Sequence, residues 1–185
     1  SWVEPLVLAP NADRGLDTYV DSNWAVRFSV SGCLVFYHGC LFHWFSKMQK
    51  SVSLSSAEAE YFGAMMAARD LAWLRDLLVD LGVQLGGASV IWSDSKSAVD
   101  MAFDPVAFKQ TKHILRAAEF LRDLVARAVV NLMHVPGRMM IADLLTKAVS
   151  RPILSEMLAL FDRYAVDGVA QVRGFGSRLM NHLKQ

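Results

Sequence analysis

Four acidic residues carry the chemistry that this sequence can be expected to perform. They are Asp21 in Tyr19-Val20-Asp21-Ser22-Asn23-Trp24, Glu60 in Ser55-Ser56-Ala57-Glu58-Ala59-Glu60-Tyr61, Asp94 in Ile91-Trp92-Ser93-Asp94-Ser95-Lys96, and Asp143 in Ile141-Ala142-Asp143-Leu144-Leu145. Each has an ordinary structural explanation. Asp21 could close a turn at Ser22-Asn23, Asp94 could cap the helix that follows it, Glu60 could be solvated, and Asp143 could complement a helix dipole. Their order is more informative: strand tip, first helix, second strand tip, late helix. Carboxylates so placed can converge on one point, where they would repel each other unless cations held them together. An all-oxygen ligand set suits a hard divalent ion, with a substrate phosphate completing the shell. The chemistry implied is metal-dependent phosphodiester hydrolysis.

The elements that must position these acids are legible. Residues 1–16 contain Pro5, Pro10, Asn11 and Gly15 and read as a lead-in; residues 17–150 form the expected domain, and 151–185 a C-terminal helix with a loosely ordered tail. Leu16 to Asp21 alternates as a short strand. Gly32–His38 and Leu41–Phe45 are rich in β-formers around a turn at His38-Gly39, predicting a hairpin. Ser55-Ser56-Ala57-Glu58 has the form of a capping box and opens a long Ala-, Leu- and Met-rich helix ending before Gly82. Glu58 is thereby assigned to the cap and Glu60 left for chemistry. Ala88–Trp92 is an apolar run suited to a strand buried on both faces, and Ser95 caps a short helix that stops before Pro105. A helix over 111–127, a strand over 129–135, a short helix over 142–149 and a last one from Pro152 to Tyr164 complete the series. The expected fold is α/β: a mixed five-stranded sheet, three antiparallel strands and then two more, flanked by helices, with a C-terminal helical extension.

Bulk properties narrow the function classes. With 185 residues the chain makes one domain, and its net charge of +1 gives no global attraction for nucleic acid. Hydrophobic residues make up 54% and charged residues 20%, which is apolar enough to anticipate a covered surface patch. No apolar run approaches the roughly 20 residues of a membrane span. The start lacks a signal peptide, and Ser1 in place of Met is expected of a piece excised from a longer product, located inside the cell, in cytoplasm, virus-like particle or nucleus. Cys33 and Cys40 fall on neighbouring predicted strands. A disulfide is open to them, but buried free thiols are favoured.

Several blocks together resemble a known family. They are Ser31-Gly32, Ser53-Leu54-Ser55-Ser56-Ala57-Glu58-Ala59-Glu60-Tyr61, Trp73-Leu74-Arg75, Asp94-Ser95-Lys96-Ser97-Ala98, Thr111-Lys112-His113-Ile114 and Ala142-Asp143-Leu144-Leu145-Thr146-Lys147. From Thr18 to Ala148 the chain resembles the ribonuclease H domain at the C-terminal end of the Pol polyprotein of copia-type LTR retrotransposons. The resemblance implies the ribonuclease H-like fold and matches Asp21, Glu60, Asp94 and Asp143 to a quartet holding two magnesium ions, with manganese as a substitute. It implies hydrolysis of the RNA strand of an RNA–DNA hybrid during reverse transcription, beside the reverse transcriptase domain of the same polyprotein. Ser22, Asn23 and Ser95, next to the acids, are candidate contacts to the 2′-hydroxyls that distinguish RNA. Thr111, Lys112 and His113, at a helix start, are candidate phosphate contacts.

The chain departs from the family pattern in three places. Trp24-Ala25-Val26-Arg27 shortens the first hairpin, Leu115–Phe120 lacks the usual polar residues, and the 136–140 loop is short and apolar. His134 is read as packed within its strand, Trp73 and Met65-Met66 as core, and Lys47, Lys50, Arg69 and Arg75 as solvated. Two rival readings accompany the nuclease: a catalytically degenerate module that packs on a reverse transcriptase and positions hybrid, and a transposase- or integrase-type DNA nuclease core. The latter kind of site typically uses three acids, and Glu60 supplies a fourth.

Overall fold

A computed structural model describes residues 15–25, 27–103 and 112–166. Strands β1 (Leu16–Asn23), β2 (Val30–Tyr37) and β3 (Cys40–Met48) form an antiparallel meander. The tight β2–β3 turn is made by His38 and Gly39, both at positive φ (48° and 79°), the combination that a type I′ hairpin turn requires. Helix α1 (Ser56–Asp80) follows, then β4 (Ser89–Ser93), α2 (Lys96–Phe103), α3 (Lys112–Ala126) and β5 (Val130–His134). Two 3₁₀ turns, Gly137–Met139 and Ile141–Leu145, lead to α4 (Arg151–Val166). The sheet order is β3-β2-β1-β4-β5, with β1 antiparallel to β2 but parallel to β4, and β4 parallel to β5.

The start of α1 is determined locally. Ser55 Oγ accepts from the Glu58 N–H at 3.2 Å. The Glu58 carboxylate then accepts from the Leu54 N–H at 2.6 Å, one residue ahead of the partner a strict capping box would use. Along the helix Ala64, Ala67, Leu71, Leu74 and Leu78 form the buried stripe at helical spacing. With α3 they cover the sheet face that presents Val20, Val35 and Ile91. The opposite face carries a smaller core of Tyr19, Leu34, Phe36, Met140 and Ile141, closed by the 3₁₀ turns.

The structure corrects some expectations and bears out others. The helix predicted over 142–149 is a 3₁₀ turn, Ile141–Leu145, so Asp143 sits in a tight loop-like element. Trp73 is 60% exposed, because it falls off the Leu71–Leu74 stripe and onto the solvent face of the helix with Arg69, Asp76 and Asp80. Met65 and Met66 do pack against the core, half-buried. His134 is the last residue of β5 and exposed, beside the end of β4. Arg75 is no free charge: it donates to Ser89 Oγ at 2.6 Å and to the Gly87 carbonyl at 2.9 Å, tying α1 to the start of β4. Arg69 and Lys47 both pair with Asp70. Cys33 and Cys40 are buried free thiols. Among the described residues no helix is long and apolar enough to cross a membrane.

Candidate metal centre

The two central strands set the first pair of acids. In the parallel β1–β4 ladder Tyr19 lies opposite Trp92. Two residues further along the chain from each stand Asp21, still within β1, and Asp94, one residue past β4, so the carboxylates emerge level at the carboxyl-end edge of adjacent strands. In sheets with parallel central strands, ligands gather at that edge. Glu60 joins them from the second turn of α1, which crosses β1 at that level. Asp21, Glu60 and Asp94 each offer a carboxylate oxygen within 4.8 Å of the other two.

Two glycines permit this convergence. A Cβ at Gly63, one turn beyond Glu60, would lie 2.2 Å from Ser22 Oγ, so only glycine lets α1 approach β1 this closely. Gly32, opposite Asp21 in the β1–β2 ladder, does the same on the other face. A Cβ there would meet Leu145 Cβ at 2.6 Å and Thr146 Cγ2 at 2.9 Å. The turn that carries Asp143 therefore rests directly on the strand pair beside Asp21.

Asp143 reaches the cluster through a cation of the chain itself. Lys147 Nζ donates to Asp143 Oδ1 at 2.8 Å and to Asp21 Oδ1 at 3.4 Å. Thr146 Oγ1 donates to the other Asp21 oxygen. Asp21 is fully buried, so these contacts offset a desolvation that would otherwise be severe. Residue type alone does not mark Lys147 and Thr146 as site residues. The signal available for them was the i,i+4 spacing of Asp143 and Lys147 within a block that already stood out.

The electrostatics are those of an under-neutralised acidic site. Burial, then the charges of Asp21 and Asp94, push the Glu60 carboxyl up to about 9. Burial and Asp21 also raise Asp94. Asp143 is raised by burial, against the hydrogen bond from Lys147, which pulls it down. For Lys147, burial alone would lower the ammonium, but the hydrogen bond to Asp143 and the two carboxylate charges outweigh it. Glu60 Oε2 is buried with no hydrogen-bond partner among the described residues. A buried carboxylate oxygen without a donor, converging with two others, is the arrangement a hard divalent cation satisfies. The donor set fits magnesium or manganese and contains no thiolate or imidazole to favour a softer metal.

The neighbouring candidates fall differently. Ser22 is buried and its hydroxyl pairs with Ser31 Oγ at 2.9 Å, facing α1 rather than a ligand. Asn23 is exposed beside the cluster, its side-chain amide 3.4 Å from the Thr146 carbonyl. Ser95 Oγ accepts from the Ala98 N–H at 3.2 Å, which makes it the cap of α2. Lys112 and His113 begin α3. Their side chains, and Thr111 altogether, lie outside the described residues.

Comparison with known proteins is consistent with this geometry. No family model matches the chain. A retrovirus-related Pol polyprotein from transposon RE2 of Arabidopsis thaliana is 35% identical over 140 residues, covering 74% of this chain and 10% of the relative. The chain thus spans about a tenth of the length of that curated relative. Among solved structures, the N-terminal RNase H domain of a Mycobacterium tuberculosis protein superposes with TM-score 0.54 at 16% identity, covering 82% of this chain and 99% of the other. LC11-RNase H1, isolated from compost and solved with an RNA/DNA hybrid, gives TM-score 0.56 at 18% identity, covering 71% and 93% respectively.

Proposed function

The chain belongs with the retrovirus-related Pol polyproteins of transposons and carries the ribonuclease H fold, and from that premise we propose that it hydrolyses the RNA strand of RNA–DNA hybrids during reverse transcription. The observation that carries this reading is the convergence of Asp21, Glu60 and Asp94 with an unpartnered buried oxygen on Glu60. Asp21, Glu60, Asp94 and Asp143 would hold the divalent ions, two magnesium or manganese. Bound there, such ions supply a water of lowered pKa and neutralise charge developing on the phosphate and the leaving 3′ oxygen.

The chain's own groups do the rest. Asp21, buried and held by Thr146 and Lys147, keeps one fixed orientation at the centre of the site. Lys147 holds part of the cluster's negative charge in check without a metal. Asn23, exposed at the tip of β1, would meet a sugar–phosphate backbone running over that edge. Residues 17–150 would act as the nuclease domain, with α4 docked on the second 3₁₀ turn and β3, and with the polymerase domain of the same polyprotein as partner. Exposed Trp44 and Met48 on β3 and Trp73 on α1 are apolar surface that such a partner would cover.

Purified protein incubated with a labelled RNA–DNA hybrid and magnesium or manganese tests the proposal, beside Asp94→Asn and Asp143→Asn. Cleavage confined to the RNA strand, leaving 5′-phosphate and 3′-hydroxyl ends and abolished by chelation and by both substitutions, is expected. A well-folded protein that does not cleave, even with a polymerase domain supplied, would favour a non-catalytic hybrid-positioning module. Cleavage of duplex DNA instead would favour a transposase-like core.

A further inference from the structure

Gln49 follows β3 directly, bears a neutral side chain, and is only 3% exposed. Its carboxamide uses three hydrogen bonds at once. Nε2 donates to Ser31 Oγ at 2.8 Å and to the Ala59 carbonyl at 2.8 Å, and Oε1 accepts from Ser53 Oγ at 2.8 Å. Its backbone N–H is fixed too, on the Ser29 carbonyl at 2.7 Å. The endpoints of this network are the neighbours of the acids. Ser31 Oγ continues to Ser22 Oγ at 2.9 Å, and Ser22 follows Asp21; Ala59 precedes Glu60. The network runs where Gly63 lets α1 lie closest to β1, with Ser22 and Ser31 both against that glycine.

We propose that Gln49 is a positioning residue for the acidic cluster, fastening the first turns of α1, and with them Glu60, to the strand pair that carries Asp21. Only an amide of this length supplies two donors and an acceptor to these three elements. Glutamate would lose both donors, and asparagine is one methylene too short to span Ser31 and Ala59. One Glu60 oxygen has no partner, and the carboxylate's hydrogen bond from the Ser22 backbone holds only while α1 lies against β1 at this level. Its place in the cluster is therefore inherited from the position of the α1 backbone, which Gln49 sets.

The inference rests on the metal-centre reading, and the test separates the two. Manganese affinity is measured by calorimetry on the purified chain, on Gln49→Met, on Glu60→Gln and on the double variant, with folding checked by circular dichroism and thermal melting. Gln49→Met is expected to weaken manganese binding by about tenfold to a hundredfold, the usual cost of losing a partner that orients a ligand. In the Glu60→Gln background the same change should cost almost nothing further. A residue of merely structural importance would lower the melting temperature and leave the affinity of the folded protein unchanged, or its effect would add fully to that of Glu60→Gln. Either result overturns the proposal. Native protein that binds no manganese overturns the metal-centre reading itself. Should Gln49→Met fail to fold, Ser53→Ala removes only the hydroxyl donated to Oε1, and a smaller loss of affinity, again absent in the Glu60→Gln background, is expected; unchanged affinity refutes the positioning role.

Discussion

Metal binding by this protein should be strongly pH-dependent through the physiological range, and Glu60 should be the reason. Without a cation its carboxyl is held at about 9, first by burial and then by the charges of Asp21 and Asp94. A carboxylate must be ionised to bind a cation, so each ion captured at Glu60 displaces a proton. Below pH 9 the ionised fraction rises about tenfold per pH unit, which is 1.36 kcal/mol per unit. Between pH 6 and pH 8 the affinity for manganese should therefore rise by about a hundredfold. The upward shifts of Asp94 and Asp143 act in the same direction and steepen the acid end. Calorimetric titration at pH 6, 7 and 8, in pairs of buffers with different ionisation heats, reads both affinity and protons released. About one proton per ion at pH 7 is expected from Glu60. Glu60→Gln should bind more weakly at pH 8 and lose most of the slope. Affinity that is flat between pH 6 and 8, or a slope as steep in Glu60→Gln as in the native chain, would show that Glu60 is not the titrating ligand.

Three further outcomes follow from the same geometry. In a chelating buffer the folded chain should lose stability as pH rises. The raised Glu60 value means that the stabilisation is complete below the ordinary 4.5 and is lost on the way to about 9, so melting temperature should fall across that window and recover on adding magnesium. Gly32→Ala would drive a methyl to 2.6 Å from Leu145 Cβ and 3.1 Å from the Ala142 carbonyl. It should cost about 1–3 kcal/mol in urea unfolding and displace the turn carrying Asp143. Lys147→Met removes the cation shared by Asp21 and Asp143. It should destabilise the metal-free protein by about 1–2 kcal/mol, the partly exposed ammonium being screened, and a saturating divalent ion should remove most of that deficit. A Lys147→Met protein as stable as the native one under chelation would mean that the buried Asp21 is neutralised in some other way.

Local signals carried much of the fold. Ser55 and Glu58 marked the start of α1 because a cap is a contact between near neighbours, and Gly39 marked the β2–β3 turn because positive φ is a local demand. The apolar run through Ile91 and Trp92 marked β4 by composition. Asp21 and Asp94 could be seen to end strands, but their adjacency depended on β4 pairing with β1, a contact between segments about seventy residues apart. The 3₁₀ turn around Asp143 escaped a reading by helical periodicity, because the turn is held by packing against Gly32 rather than by its own propensity. Trp73 stays out of the core although its side chain is large and apolar, because helical spacing puts it with Arg69, Asp76 and Asp80 on the face turned to solvent, and position there outweighs residue type.

The candidate site divides along the same line. The identity and order of its four acids, and hence the expectation of a divalent cation, are written in the chain, since ligand chemistry belongs to residue type. That Lys147 bridges Asp21 and Asp143, that Ser22 turns into the core, that Glu60 keeps an oxygen without a partner and that Gln49 ties the two sides of the site together are decided only in three dimensions. The physical reason is range. Residue type and local backbone preference act within a turn or two of chain, whereas burial, charge repulsion and a shared hydrogen-bond partner depend on which distant segments folding brings within about 3–5 Å.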